Sequence, residues 1–187
     1  MGKQIWKPGN MLYPVPAVLV STADAAGKDN LITIAWTGTG CSDPPMTYIS
    51  VRKERYSHHM LMETGEFVIN LVTKKICRAA DFCGVRSGRD MDKFQAAGLT
   101  REAASTVKPP LIRESPVNIE CRVTQVLELG SHDMFLAKVT AVCVDESLLD
   151  AKGRLDLNRA GLAAYSHGEY LACAQKLGSF GYSVRKK

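Results

Sequence analysis

The chain has 187 residues, of which 45% are hydrophobic, so it is long and apolar enough to bury a core and is not a disordered segment. Its 24 Lys+Arg stand against 19 Asp+Glu, and the resulting charge of +5 is scattered except at residues 52 to 55, which argues against the continuous basic face of a nucleic-acid binder. The opening MGKQIWKPGN carries no long apolar segment and no run reaches the roughly 18 uncharged residues of a membrane span, so neither secretion nor membrane insertion is expected.

In chain order, the prolines of YPVPAVLVST forbid helix, and Ala17 to Thr22 read as a buried strand. Asp24 to Asn30 is its hairpin loop. Leu31 to Ala35, Thr47 to Val51 and Phe67 to Leu71 form the next three strands, each short, rich in β-branched residues and bounded by turn residues. A helix of about two turns is expected from Ser57, as capping hydroxyl, to Glu63, ahead of Gly65.

Residues 74 to 99 are read as a helical excursion, broken at Gly84 to Gly88 and resuming from Asp90 to Ala97. Its GVRSGRD loop suits a flap over a site as well as a plain connection. From Val117 to Val144 two alternating runs flank Gly130-Ser131 and make a long antiparallel hairpin. The tail from Asp150 reads as irregular, with aromatics that wrap over the body or onto a partner.

The six cysteines, at 41, 77, 83, 121, 143 and 173, form no CxxC and no zinc spacing. Free thiols in a reducing cytoplasm, with no metal site, are the expectation.

Two corners are chemically unusual. Ala35-Trp36-Thr37-Gly38-Thr39-Gly40 reads as a flexible, hydroxylated loop straight after a buried strand, where backbone amides can approach a planar or anionic ligand. The second corner gathers Arg52, Lys53, Arg55, Tyr56, Ser57, His58 and His59 immediately before a helix. Cations, a hydroxyl and unpaired helix amides together suit a phosphate. Read singly, Trp36 is a core residue, Ser57 a plain helix cap and Arg52 to Arg55 a solvated turn.

Strands in hairpin order with late helices argue for an antiparallel barrel carrying a helical insertion. Neither a Rossmann GxGxxG nor a Walker loop is present, so a nucleotide-type ligand must be held by the barrel's rim and loops. The expected organisation is one domain over residues 1–187: a barrel at about 11–150, its helical insertion at 74–99, and a tail at 151–187 that packs on the barrel or a partner.

The ordered set PVPAVLVST, GKDNLITIAW, CSDPPMTYISV, TGEFVINL, DKF, IECRV, LGSHDMFLAKV and GSFGYSVRKK resembles the flavin reductase-like family with the FMN-binding split barrel, in particular its flavoredoxin-type members. The resemblance runs over nearly the whole chain. It implies a mainly β fold, a six-stranded antiparallel Greek-key split β-barrel with inserted helices, which dimerises with FMN near the subunit interface. Carried over position by position, it implies cofactor-binding roles for Asn30, Trp36, Thr37, Gly38, Ser50, Val51, Arg52, Lys53, Ser57, Lys93, His132 and Tyr165. Ser57 and Arg52 are assigned to the phosphate, Lys93 to the pyrimidine end of the flavin, and Tyr165 to the flavin held by the opposite subunit.

The resemblance also implies electron transfer from NAD(P)H or a redox protein through FMN to flavin, ferric iron or another acceptor, with no catalytic side chain required. The alternatives are a flavoprotein that only carries or stores flavin, and a small-molecule sensor that binds none.

Overall fold

The computed structural model describes residues 2–173 and 175–184. β1 (Val15–Pro16) leads into β2 (Val18–Ala23), which pairs antiparallel with β3 (Asp29–Ile34); the connecting turn is residues 24–28, two shorter than the expected Asp24 to Asn30, because Asp29 and Asn30 already pair with Ala23 and Thr22. The Gly/Thr segment after β3 is not a loop. It forms β4 (Thr37–Ser42), paired with β5 (Pro45–Arg52), and Thr37 Oγ1 donates to the Tyr48 carbonyl at 2.6 Å while Thr47 Oγ1 donates to the Gly38 carbonyl at 2.8 Å. Glycine lowers strand propensity, but ladder pairing and these threonine bonds override it.

α1 (Tyr56–Thr64) ends at Gly65, whose φ of 64° closes the helix through a bond to the Leu61 carbonyl. Ser57 does not cap it: the N-cap is Arg55, without a side-chain cap bond, and Ser57 is fully buried inside the first turn. After β6 (Glu66–Leu71) come α2 (Cys77–Val85) and α3 (Lys93–Ala97). α3 starts three residues later than the apolar pattern suggests, because Asp92 accepts the Gln95 amide and acts as its cap. A short pair, β7 (Arg101–Glu102) and β8 (Leu111–Ile112), precedes the expected long hairpin of β9 (Val117–Glu128) and β10 (His132–Val144). The tail is more regular than its sequence suggests. β11 (Ala163–Ser166) and β12 (Glu169–Ala172) form a hairpin that pairs with β1, setting Tyr165 opposite Val15.

The main sheet is antiparallel, in the order β3-β2-β6-β9-β10-β5-β4, so β4 adds a seventh strand to the expected six. β2 is buried on both faces. Val18 and Val20 point into a barrel core with Ile34, Ile49, Phe67 and Phe135, while Leu19 joins Leu31, Ile76, Ala80 and Phe94 beneath the helical insertion. The insertion thus covers the outer face of β2 and β3. Truncating a side chain such as Leu19 or Leu31 would cost about 2 to 5 kcal/mol. β3 and β4 end the sheet as its two edges, and the helices lie against the β3 side.

Candidate functional site

A cavity of about 480 Å³ lies where β3 faces the end of β5 under α2. Ile32 to Trp36 form one wall, Ser50 to Arg52 the other, and Asp81, Gly84 and Val85 of α2 the roof. The Ser50 amide donates to the Trp36 carbonyl at 2.8 Å, which ties the two walls together. β1 and β11 bring an aromatic side to the same cavity: Tyr13 stands 6.1 Å from Trp36 and 6.2 Å from Tyr165, and Tyr165 is 5.7 Å from Tyr170. Register places His132 opposite Arg52, so both reach the mouth. Burial, then the charge of Arg52, pushes the His132 imidazole below its ordinary value, which makes it neutral at pH 7.

Ile32, Arg55 and Val85 also line a second, smaller cavity of about 240 Å³. Its floor is a buried polar set. Thr22 and Asn30, a cross-strand pair of β2 and β3, donate to Ser57 Oγ at 3.0 and 2.9 Å. Ser57 is therefore an acceptor twice over, and its own proton has no acceptor among the described residues. Lys93, 5% exposed, donates to the carbonyls of Leu31 and Cys83, each at 2.7 Å, which leaves its third N–H unclaimed among the described residues. Burial pulls the Lys93 ammonium down to about 8, and burial pushes the neighbouring Cys83 thiol up to about 11. Arg55, Arg86 and Arg89 complete the lining at the uncapped start of α1. Gly88 holds the Arg86–Arg89 loop down, since a Cβ there would overlap Asn30 Oδ1.

The expected residues divide accordingly. Trp36, Ser50, Val51, Arg52, His132 and Tyr165 line the larger cavity, while Asn30, Ser57 and Lys93 line the smaller. Thr37 faces a groove of about 800 Å³ behind Trp36, shared with Ser50, Arg52 and His132 and flanked by Met11 and Leu12. Two residues fall outside these spaces. Gly38 is covered by the Tyr48 ring, and Lys53 is ion-paired with Glu128 at 2.8 Å and with Asp133 at 3.4 Å. Lys93 lines the smaller cavity together with Ser57, at its cationic end. Tyr165 reaches the cavity of its own chain, because β11 pairs with its own β1. Arg55 belonged to the basic corner, and Arg86 and Arg89 to the suspected flap. Tyr170 was among the tail aromatics expected to wrap over the body or a partner, whereas Tyr13, just ahead of β1, and Asp81 of α2 had no sequence signal.

The donor set can therefore hold a mixed ligand: a flat apolar body among Ile32, Trp36, Val51 and Tyr165, and an anion over Ser57, Lys93 and the arginines. A family model described as a flavin reductase like domain matches residues 10–170, and the chain belongs to that family. Among solved structures, the flavoredoxin of Desulfovibrio vulgaris (Miyazaki F) superposes with a TM-score of 0.91 at 31% identity, covering 98% of this chain and 100% of that one. An FMN-binding protein from Thermus thermophilus, solved with bound 1-cyclohex-2-enone, gives 0.79 at 26%, covering 96% and 98%. An NADH:riboflavin 5'-phosphate oxidoreductase of Streptomyces pristinaespiralis is 24% identical over 136 residues, 73% of this chain and 74% of its own.

Proposed function

We propose that this chain is an FMN-binding oxidoreductase that passes electrons from NAD(P)H or a redox protein through FMN to flavin, ferric iron or another acceptor. FMN, when bound, supplies the redox chemistry. The chain's residues supply position and charge. Ile32, Trp36, Val51 and Tyr165 enclose the ring system, and Ser57, Lys93 and the arginines hold the phosphate. The observation that carries this reading is the adjacency of the two cavities, one with an aromatic side and the other cationic, which share Ile32, Arg55 and Val85 in their linings.

The groove behind Trp36 is the approach for a donor or acceptor, since Trp36, Ser50, Arg52 and His132 line both it and the ring cavity. A neutral His132, bonded to Ser131 Oγ through Nδ1 at 2.9 Å, can present a hydrogen bond there without repelling a cationic nicotinamide. The same groove and the exposed apolar residues of both termini support a homodimer. Free cysteines at all six positions fit a reducing cytoplasm.

Absorption and flavin-fluorescence titration of the purified protein test the reading. FMN is expected to bind at one per chain and more tightly than riboflavin. Ser57→Ala should weaken FMN by about 1.5 to 3 kcal/mol, the contribution of a hydrogen bond to a charged group, and riboflavin by less. A spectrum unchanged by either flavin removes the proposal, and steady-state NAD(P)H oxidation separates a reductase from a carrier.

A further inference from the structure

Among the described residues, Lys93 is the only lysine lining the cationic cavity, which it shares with Ser57 and three arginines. The carbonyls of Leu31 and Cys83, each at 2.7 Å, hold its nitrogen from two sides. Because that nitrogen is tetrahedral, fixing Cε and two hydrogen-bonded protons leaves one direction for the third N–H. Once that proton is lost, the lone pair takes its place. Burial favours the loss: with the ammonium at about 8, about half of the Lys93 side chains are amines at pH 8, against roughly half a per cent for a lysine in water. The group is therefore a tethered nucleophile as well as a charge.

Resting on the flavin reading for the anion that this cavity holds, we infer that Lys93 is an acylation site, modified by small acyl phosphates that enter the cavity when FMN is absent. The phosphate of such a reagent pairs with Arg55, Arg86 and Arg89, and its acyl carbon, one bridging oxygen away, shares a space of about 240 Å³ with the amine. Holding both reactants in so small a volume replaces a chance encounter with a positioned one.

In the step, the Nζ lone pair forms a bond to the acyl carbon, and the bond from that carbon to the bridging oxygen breaks with its electrons on the phosphate. One amine proton passes to the departing phosphate. The products are an acylated lysine and inorganic phosphate, and nothing is oxidised or reduced. Cys83 lines the same cavity but does not compete, because burial pushes its thiol up to about 11 and keeps it out of the thiolate form. Acylation removes the Lys93 charge and fills part of the cavity, so a flavin phosphate then meets a neutral amide. The acylated chain is closed to FMN at its anion end.

Incubation of the apo-protein with acetyl phosphate at pH 8, followed by peptide mass spectrometry, tests the assignment without any turnover. Lys93 should acetylate about tenfold or more faster than Lys108 and Lys138, which are exposed, and inorganic phosphate and FMN should each protect it. The N-hydroxysuccinimide ester of acetate, which carries no phosphate, should modify the two surface lysines first. Arg55→Gln should slow acetylation of Lys93 several-fold and leave that of Lys108 as it was. Lys93→Gln, which carries a neutral amide as the acylated side chain does, should lower FMN affinity by about tenfold or more and leave riboflavin unchanged. Acetylation of Lys93 no faster than that of the surface lysines, or at a rate that inorganic phosphate does not lower, overturns the inference while the flavin reading stands. Protection by inorganic phosphate with none by FMN supports the acylation site and removes the flavin reading.

Discussion

Lys93 combines burial, two carbonyl partners and a third N–H unclaimed among the described residues, in the cavity that Ser57 also lines. Desolvation holds its pKa at about 8, against an ordinary 10.5. In the free protein the buried charge is a cost that disappears on deprotonation, so stability from this group rises as pH climbs from about 8 towards 10.5. Phosphate binding has the opposite sign. An anion favours the ammonium, so FMN affinity should be full below pH 8 and fall as pH rises through it. The phosphate is a dianion there, its second pKa being about 6. Cys83, with its thiol near 11, stays neutral over the same range. Fluorescence titrations from pH 6 to 9.5 should show this dependence for FMN and none for riboflavin, and Lys93→Met should abolish it.

Two connecting segments owe their shape to one residue each. The Arg86–Arg89 loop lies on Asn30 because residue 88 has no side chain. Gly88→Ala must lift the loop or turn Asn30 away from Ser57, so FMN affinity should drop about tenfold or more while the thermal midpoint moves little, which calorimetry beside a flavin titration would separate. The segment ahead of β8 is pinned by Glu120 of β9. Its carboxylate is fully buried and accepts from the Ser105 amide and hydroxyl, both at 2.8 Å, and from the Thr106 amide and hydroxyl, both at 2.6 Å. Burial alone would raise its pKa, but these four donors outweigh it and hold the group at about 2. A carboxylate held below its ordinary 4.5 contributes stability that is present above that value and lost as pH falls through about 2. The contribution is on the order of 3 kcal/mol. Denaturant unfolding at pH 7 and pH 3 should show Glu120→Gln destabilised at pH 7, with the gap narrowing in acid.

For the molecule entire, both termini carry apolar side chains that the single chain leaves uncovered. Ile5, Leu12, Leu177 and Phe180 are all more than 80% exposed, and Met11 and Leu12 edge the groove behind Trp36. Tyr165 and Tyr170 are already half-buried by their own chain, so the demand for a partner comes from the arms and not from the aromatics of the β11–β12 hairpin. A homodimer that covers these arms would also close the groove against the ring cavity, coupling assembly to flavin binding. Light scattering at low micromolar protein should give twice the chain mass, with FMN strengthening the association. A monomer with undiminished FMN affinity would refute that coupling.

The barrel strands, the Gly130-Ser131 hairpin turn and the basic corner at 52 to 59 were legible in the residues alone, because alternation, turn chemistry and charge clustering are local properties of a chain. So was the gathering of a hydroxyl with cations at that corner. The placement of that hydroxyl was not: Ser57 has the composition of a helix cap, yet Thr22 and Asn30, a cross-strand pair, hold it buried in the first turn of α1. Thr37–Ser42 became a strand through its partner β5, and Lys53 left the site for Glu128, 75 positions away. Local chemistry determined which groups this protein could use; long-range pairing decided which of them meet, because the partners of a buried side chain are set by sheet register and not by neighbours in sequence.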